Sequence, residues 1–315
     1  MSVPNVVLPL LTTLASFAAA GMVLDQWRQR RRSFQLVWGL GLLFYGIGAG
    51  VEFLGAFGWD PVLYRLWFLF GAMLVAAYLG AGTVYLLSRT RFGYLVALSV
   101  LAGGLFAPLF QASLIQQGHP TSWTNVWLVV GVSAAAAVGI AYATARHRGQ
   151  VGHVAMAILV AASLLAAVLV ATAYLPPPGY ALAATTRVPL ATAMPGYLQV
   201  MTGPYNIAGG FSLVFGALFS LWAYLPKREL LRRPLATLAG GGLNSRVPAT
   251  ILIALGGFVP SLTSGLDRFG VTWSFYLGQL LGVLLIFAGL LVSEEVFARL
   301  RARGRGTPPV APRPV

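Results

Sequence analysis

Apolar runs separated by short polar breaks fill this chain from its first residues to about position 292, and that alternation limits the fold more than any other feature. The runs fall at 5–24, 34–57, 61–87, 94–114, 124–145, 151–174, 205–225, 247–264 and 272–292. Each is close to the roughly 17 to 25 residues that carry a helix across the hydrocarbon core of a bilayer. Lipid offers no hydrogen-bond partner, so such a run must pair its backbone groups internally and becomes a helix. The expected fold is all-α: a polytopic transmembrane helix bundle of about nine spans, with seven as the lower count if two weak segments do not cross. The segment at 247–264 is the weakest, because it begins beside Pro248 and contains Pro260.

Composition supports the same reading. Only 9% of residues are charged, against about a quarter in soluble domains, so lipid is the expected solvent for most of the surface. The formal net charge of +14 would point to nucleic acid in a soluble protein. Here the basic residues sit in the breaks, where they report orientation instead, and no nucleic-acid partner is expected. One side collects Arg28, Arg30, Arg31, Arg32, Arg89, Arg91, Arg146, Arg148, Lys227, Arg228, Arg232, Arg233, Arg246 and the arginines of the tail. The other side has Arg65, Arg187 and Arg268. Positive residues stay in the cytoplasm, so the N-terminus is expected outside, the C-terminus inside, and the number of crossings odd. The start of the chain lacks the basic stretch of a secretory signal and is read as a retained first span. The expected location is a cell membrane of prokaryotic inner-membrane type.

Residues 1–300 read as one transmembrane helical domain with two longer breaks. The outer break, 175–204, opens with Pro176-Pro177-Pro178-Gly179 and fits a lid, an interfacial helix, a re-entrant segment or an ordinary linker on the outer surface, of which the linker is preferred. The inner break, 226–246, starts Lys227-Arg228-Glu229-Leu230-Leu231-Arg232-Arg233, an amphipathic basic pattern that anionic lipid headgroups at the cytoplasmic face would hold. Residues 301–315 form a basic, proline-rich tail with too little apolar surface to fold.

Chemistry-bearing residues are sparse. The chain has no cysteine, which removes disulfides, thiolate catalysis and iron–sulfur ligation. His119, His147 and His153 do not share a helical face or a cluster of carboxylates, so no metal or haem site is expected. The seven carboxylates are scattered, and no glycine loop followed by lysine cradles a phosphate. No catalytic residue and no cofactor is expected, and the protein is read as not an enzyme.

One hairpin stands out, because it holds the acid and base that lie well inside expected spans. Tyr45, Gly48, Glu52 and Gly55 are spaced three, four and three apart and share one face of the second span. Arg65, Ala72 and Ala76 share a face of the third. A turn near Asp60 would bring Glu52 and Arg65 to similar depth, so an ion pair between them is expected, with Asp60 as the competing partner. A charge facing lipid is costly, and intramembrane ionisable groups pair or line a polar cavity. The pair is read first as a staple that fixes helix register, with a ligand or solute contact at Tyr45, Glu52, Asp60 and Arg65 as the other reading. Gly46 with Gly50, and Gly278 with Gly282, are helix-packing pairs at the spacing that brings helices close, expected to serve packing within one bundle. Asn125, Asn206, Gln279 and Tyr78 are expected to hydrogen-bond between helices.

Two functions from different classes remain. The first is a non-enzymatic membrane subunit, scaffold or sensor-like module that packs against lipid, an apolar ligand, a partner membrane protein or a second copy of itself. A seven-span version of this topology is similar in outline, with no shared motif, to the seven-helix input region of some bacterial sensor kinases. The second is a permease for a small neutral or apolar solute, although coupled transport normally puts charge or unwound helix near the midplane.

Overall fold

The computed structural model describes residues 3–118, 120–184, 187–224, 246–267 and 274–292, and among them it is helical with no strand. The first two helices are α1 (Val3–Arg30) and α2 (Ser33–Gly55). They form a hairpin in which Gly46 sits under the ring of Phe17 and Gly50 faces Thr13. The third rod starts at α3 (Pro61–Leu66), passes through a π-helical stretch, Trp67–Leu74, and continues as α4 (Val75–Leu86). Its start is set locally. Asp60 caps it by accepting from the backbone N–H groups of Val62 and Leu63 at 2.7 and 2.9 Å, and Pro61 takes the first helical position, where a missing N–H costs nothing.

The next rod is split into α5 (Phe92–Leu105) and α6 (Ala107–Gln116). Pro108 lies in the first turn of α6, and its missing N–H and bulky ring stop α5 from running through unbroken. Then come α7 (Trp123–Arg146), α8 (Val151–Thr172), α9 (Gly196–Tyr224), α10 (Arg246–Asp267) and α11 (Ser274–Val292). The helix α9 holds the bundle together, since α4, α5 and α10 all pack on it. α10 and α11 make a second antiparallel hairpin, with Gly282 against Pro260 and the carbonyl of Gly256, and Gly278 against Thr263. Both small-residue pairs singled out in the sequence therefore serve contacts within this chain.

Among the described residues, six helices are long and apolar enough to cross a membrane: Val3–Arg30, Ser33–Gly55, Pro61–Leu86, Phe92–Gln116, Trp123–Arg146 and Val151–Thr172. Their outward faces agree with a lipid surrounding. Leu128, Val132 and Val138 on α7, and Leu164, Leu165 and Val168 on α8, are exposed. A continuous apolar stripe of that kind is not what a soluble surface presents. The helices α9, α10 and α11 lie on the remaining three apolar segments of the sequence.

The segment between α8 and α9 is more deeply involved than a surface linker. Leu175, Val188, Met194 and Leu198 are buried, and all but Val188 belong to the same apolar core as Tyr64, Trp67 and Phe68. The Tyr64 hydroxyl donates to the carbonyl of Leu190. An isolated bridge joins Leu182 to Pro189, and α9 begins at Gly196, inside the expected break. The inner break 226–246, apart from Arg246, and the tail 301–315 lie outside the described residues.

Candidate functional site

The expected site lies where α2 ends and the third rod begins. Glu52 is only 2% exposed, one turn from the end of α2. Its Oε1 accepts two hydrogen bonds at 3.0 Å, one from the indole Nε1 of Trp67 and one from the amide Nε2 of Gln279 on α11. Tyr45, two turns earlier on the same face, donates its hydroxyl to the backbone carbonyl of Gln279 at 2.8 Å. Two residues of α2 thus hold one residue of α11 by its side chain and its main chain. Between them, Gly48 lies against the backbone of Gly71, so closely that a Cβ there would come within 2.7 Å of the Gly71 Cα. Only a glycine lets the two helices approach this far, and that approach puts Trp67 within reach of Glu52.

The expected ion pair between Glu52 and Arg65 does not form. Arg65 Nη2 donates instead to the carbonyl of Ala173 at 2.9 Å, with a long 3.5 Å contact from Nη1 to the carbonyl of Pro61. Ala173 is the residue that ends α8, where carbonyls lack helical partners and a cation is favoured by the helix dipole. Arg65 is therefore drawn to α8, while Trp67, two positions later, faces α2. Asp60 does not compete for either residue, because its carboxylate is committed to capping α3. Of the four residues expected here, Tyr45 and Glu52 come together, and Asp60 and Arg65 are engaged elsewhere.

The π-helical stretch completes the arrangement. Its i→i+5 pattern widens the helix by a residue and frees carbonyls for outside partners. Asn206 on α9 donates to a carbonyl of this stretch, that of Ala72, at 2.8 Å. Gln279 and Asn206 do bridge helices, and Tyr78 donates to Ser163 on α8 at 3.4 Å. Asn125 turns back to the segment just before α7 and donates to the hydroxyl of Thr121. Trp67 was not legible as a site residue. Its one signal is that it lies inside a span, whereas most of the tryptophans mark span ends.

A second feature has no counterpart in the sequence motifs. Between α4, α5, α7, α8 and α9 lies a cavity of about 150 Å³, with Ala77, Val96, Ser133, Ile158, Tyr205 and Ser212 in its wall. The wall is nearly all apolar. Tyr205 is 7% exposed, and its hydroxyl is buried without a hydrogen-bond partner. A smaller void of about 10 Å³ between α1, α2, α4, α9, α10 and α11 has room for about one water. Of the histidines, His153 packs its ring edge-on against Tyr85 at 5.3 Å, His147 ends α7, and His119 lies outside the described residues.

No protein-family model, no curated protein and no solved structure matches this chain.

Proposed function

We propose that this is a non-enzymatic, multi-pass protein of a cell membrane that binds a small apolar molecule bearing one hydrogen-bond acceptor, in the cavity beside Tyr205. In this reading it works as a membrane subunit or sensor-like module. It has nine crossings, its N-terminus outside and its C-terminus in the cytoplasm. The six long apolar helices and the one-sided distribution of arginine support that placement.

The observation that carries the ligand reading is an apolar cavity with Tyr205 in its wall, a residue whose buried hydroxyl has no hydrogen-bond partner. A pocket of about 150 Å³ with a wall that is nearly all apolar has room for a benzene-sized guest. A buried donor without an acceptor is unfavourable, and a carbonyl or ether oxygen on the guest would satisfy it. Burial of the guest's apolar surface supplies the affinity, and the hydroxyl supplies the choice.

Cyclohexanone and methylenecyclohexane have nearly the same shape, and only the first accepts a hydrogen bond. Added to the full chain in detergent, both are expected to raise the unfolding temperature. Tyr205→Phe should weaken cyclohexanone about fivefold, the equivalent of about 1 kcal/mol for one neutral hydrogen bond, and leave methylenecyclohexane unchanged. Ala162→Leu, which fills the cavity, should weaken both. Cyclohexanone binding that ignores both substitutions would sink the reading.

A permease is the second reading, and one observation favours it. Pro204, inside α9, lies in the cavity wall, and Gly103 of the interrupted α5–α6 rod packs on it. Interrupted helices beside a midplane cavity are a transporter feature. Uptake of cyclohexanone into proteoliposomes faster than into protein-free vesicles, abolished by Ala162→Leu, would decide for transport.

A further inference from the structure

The hydrogen bonds at Glu52 and Gln279 use only one of the two polar atoms on each group. Gln279 Nε2 donates to Glu52 Oε1. The other oxygen of each group, Glu52 Oε2 and Gln279 Oε1, is buried and has no partner. Both are acceptors when the carboxyl is ionised, so the two oxygens cannot hydrogen-bond to each other directly without a proton between them. A carboxyl and a primary amide have matching outlines: each presents two polar atoms on one planar carbon. When the amide nitrogen sits on one carboxyl oxygen, the amide oxygen is carried toward the other.

We propose that Glu52 and Gln279 form a proton-binding site, in which Glu52 is held as the neutral acid and closes a cyclic acid–amide pair. Gln279 Nε2–H donates to Glu52 Oε1, and Glu52 Oε2–H donates to Gln279 Oε1. Trp67 decides which oxygen carries the proton. Its indole is a donor only and already occupies Oε1, so the proton belongs on Oε2.

Among the described residues, the surroundings offer no other way to neutralise the group. On α2 the titratable neighbour is Tyr45, whose hydroxyl is given to the Gln279 carbonyl. The π-helical stretch presents Trp67, and α11 presents Tyr276 and Gln279. The buried face of α1, which packs on both α2 and α11, is formed by Pro9, Thr12, Ser16, Ala19, Ala20 and Val23. Arg65 is spent on Ala173. An ionised carboxylate in this position would be a buried charge with no cation among the described residues, the arrangement that membrane interiors penalise most.

Proton loss would remove one of the bonds between α2 and α11 and leave a charge at the seam. The site thereby couples a proton to the attachment of the last hairpin, α10–α11, to the rest of the bundle. This does not depend on the cavity beside Tyr205.

Infrared spectroscopy of the full chain in lipid nanodiscs, with glutamate labelled by carbon-13, tests the site directly. The other glutamates, Glu229, Glu294 and Glu295, lie outside the apolar runs of the sequence, where a carboxyl is ordinarily ionised at neutral pH. At pH 7 the wild type should show one labelled carbonyl band of a protonated carboxyl. Glu52→Gln, which can form the matching amide–amide pair and so should fold, should lose that band. Gln279→Leu should move it to the position of a carboxyl with a free O–H. The absence of a protonated band in the folded wild type at pH 7 overturns the proposal, and so does a band that appears only when sodium is withdrawn, since the two oxygens would then be holding a metal cation.

Discussion

At the scale of single residues, the hairpin between α2 and α3 shows how a polar group in an apolar helix finds its partner. Glu52 stood out because it is a carboxylate inside an apolar run, and its burial follows from the cost of facing lipid. Its partner did not follow. Arg65 is near in sequence and opposite in charge, yet the unpaired carbonyl at the end of α8 takes its guanidinium, while two neutral N–H groups take the carboxyl. The consequence is measurable by a double-mutant cycle on unfolding in detergent. Glu52→Gln and Arg65→Ala should be additive to within about 0.5 kcal/mol, as for sites that share no contact, and exchanging the two residues should restore nothing. A coupling well above that value would return the two residues to one pair. By contrast, Glu52→Gln combined with Trp67→Phe should couple, because the first changes the acceptor and the second removes the donor of the same hydrogen bond.

At the scale of elements, the π-helical stretch and the glycines that face it do most to position the site. Adding a Cβ at Gly48 would meet the backbone of Gly71, which cannot swing aside as a side chain can. Gly48→Val should therefore destabilise the fold by about 1–3 kcal/mol, the usual range for overpacking, and separate Trp67 from Glu52. The change is read from thermal unfolding and from Trp67 fluorescence. Gly58 in the adjoining turn has nothing within 4 Å of an added Cβ, so Gly58→Ala should change stability by less than about 0.5 kcal/mol. Equal losses in the two variants would show that the close approach of α2 and the π-helical stretch is not what holds the site. A similar contact, Gly80 against the backbone of Gly209, brings α4 onto α9 beside the cavity.

At the scale of the whole molecule, the proposed topology is open to a direct test, because the chain has no cysteine to interfere. Single cysteines at Ser2→Cys and Gln117→Cys should react with a membrane-impermeant maleimide on intact cells. Gly149→Cys and Thr307→Cys should react only after the membrane is opened. Labelling of residues 2 and 307 from the same side would make the number of crossings even and overturn the nine-span arrangement.

The apolar segments were readable because a backbone in lipid has one economical conformation, so length and composition alone mark each helix. The observed helices α1, α2, α7 and α8 lie on the expected runs for that reason. Glu52 and Tyr45 were readable as one face by helical spacing, and the glycines around them as places of close approach. The sequence could not show which helix fills that approach. Gln279 is 227 positions from Glu52, and the meeting of the two depends on the path of α11 through the bundle. The π turn at Trp67, the burial of Leu175 and Met194 within the core, and the cavity beside Tyr205 are likewise properties of packing. A periodic sequence pattern specifies which side of a helix avoids lipid, whereas the partner on that side is chosen by the competition of all helices for the same contacts, and only the folded bundle resolves it.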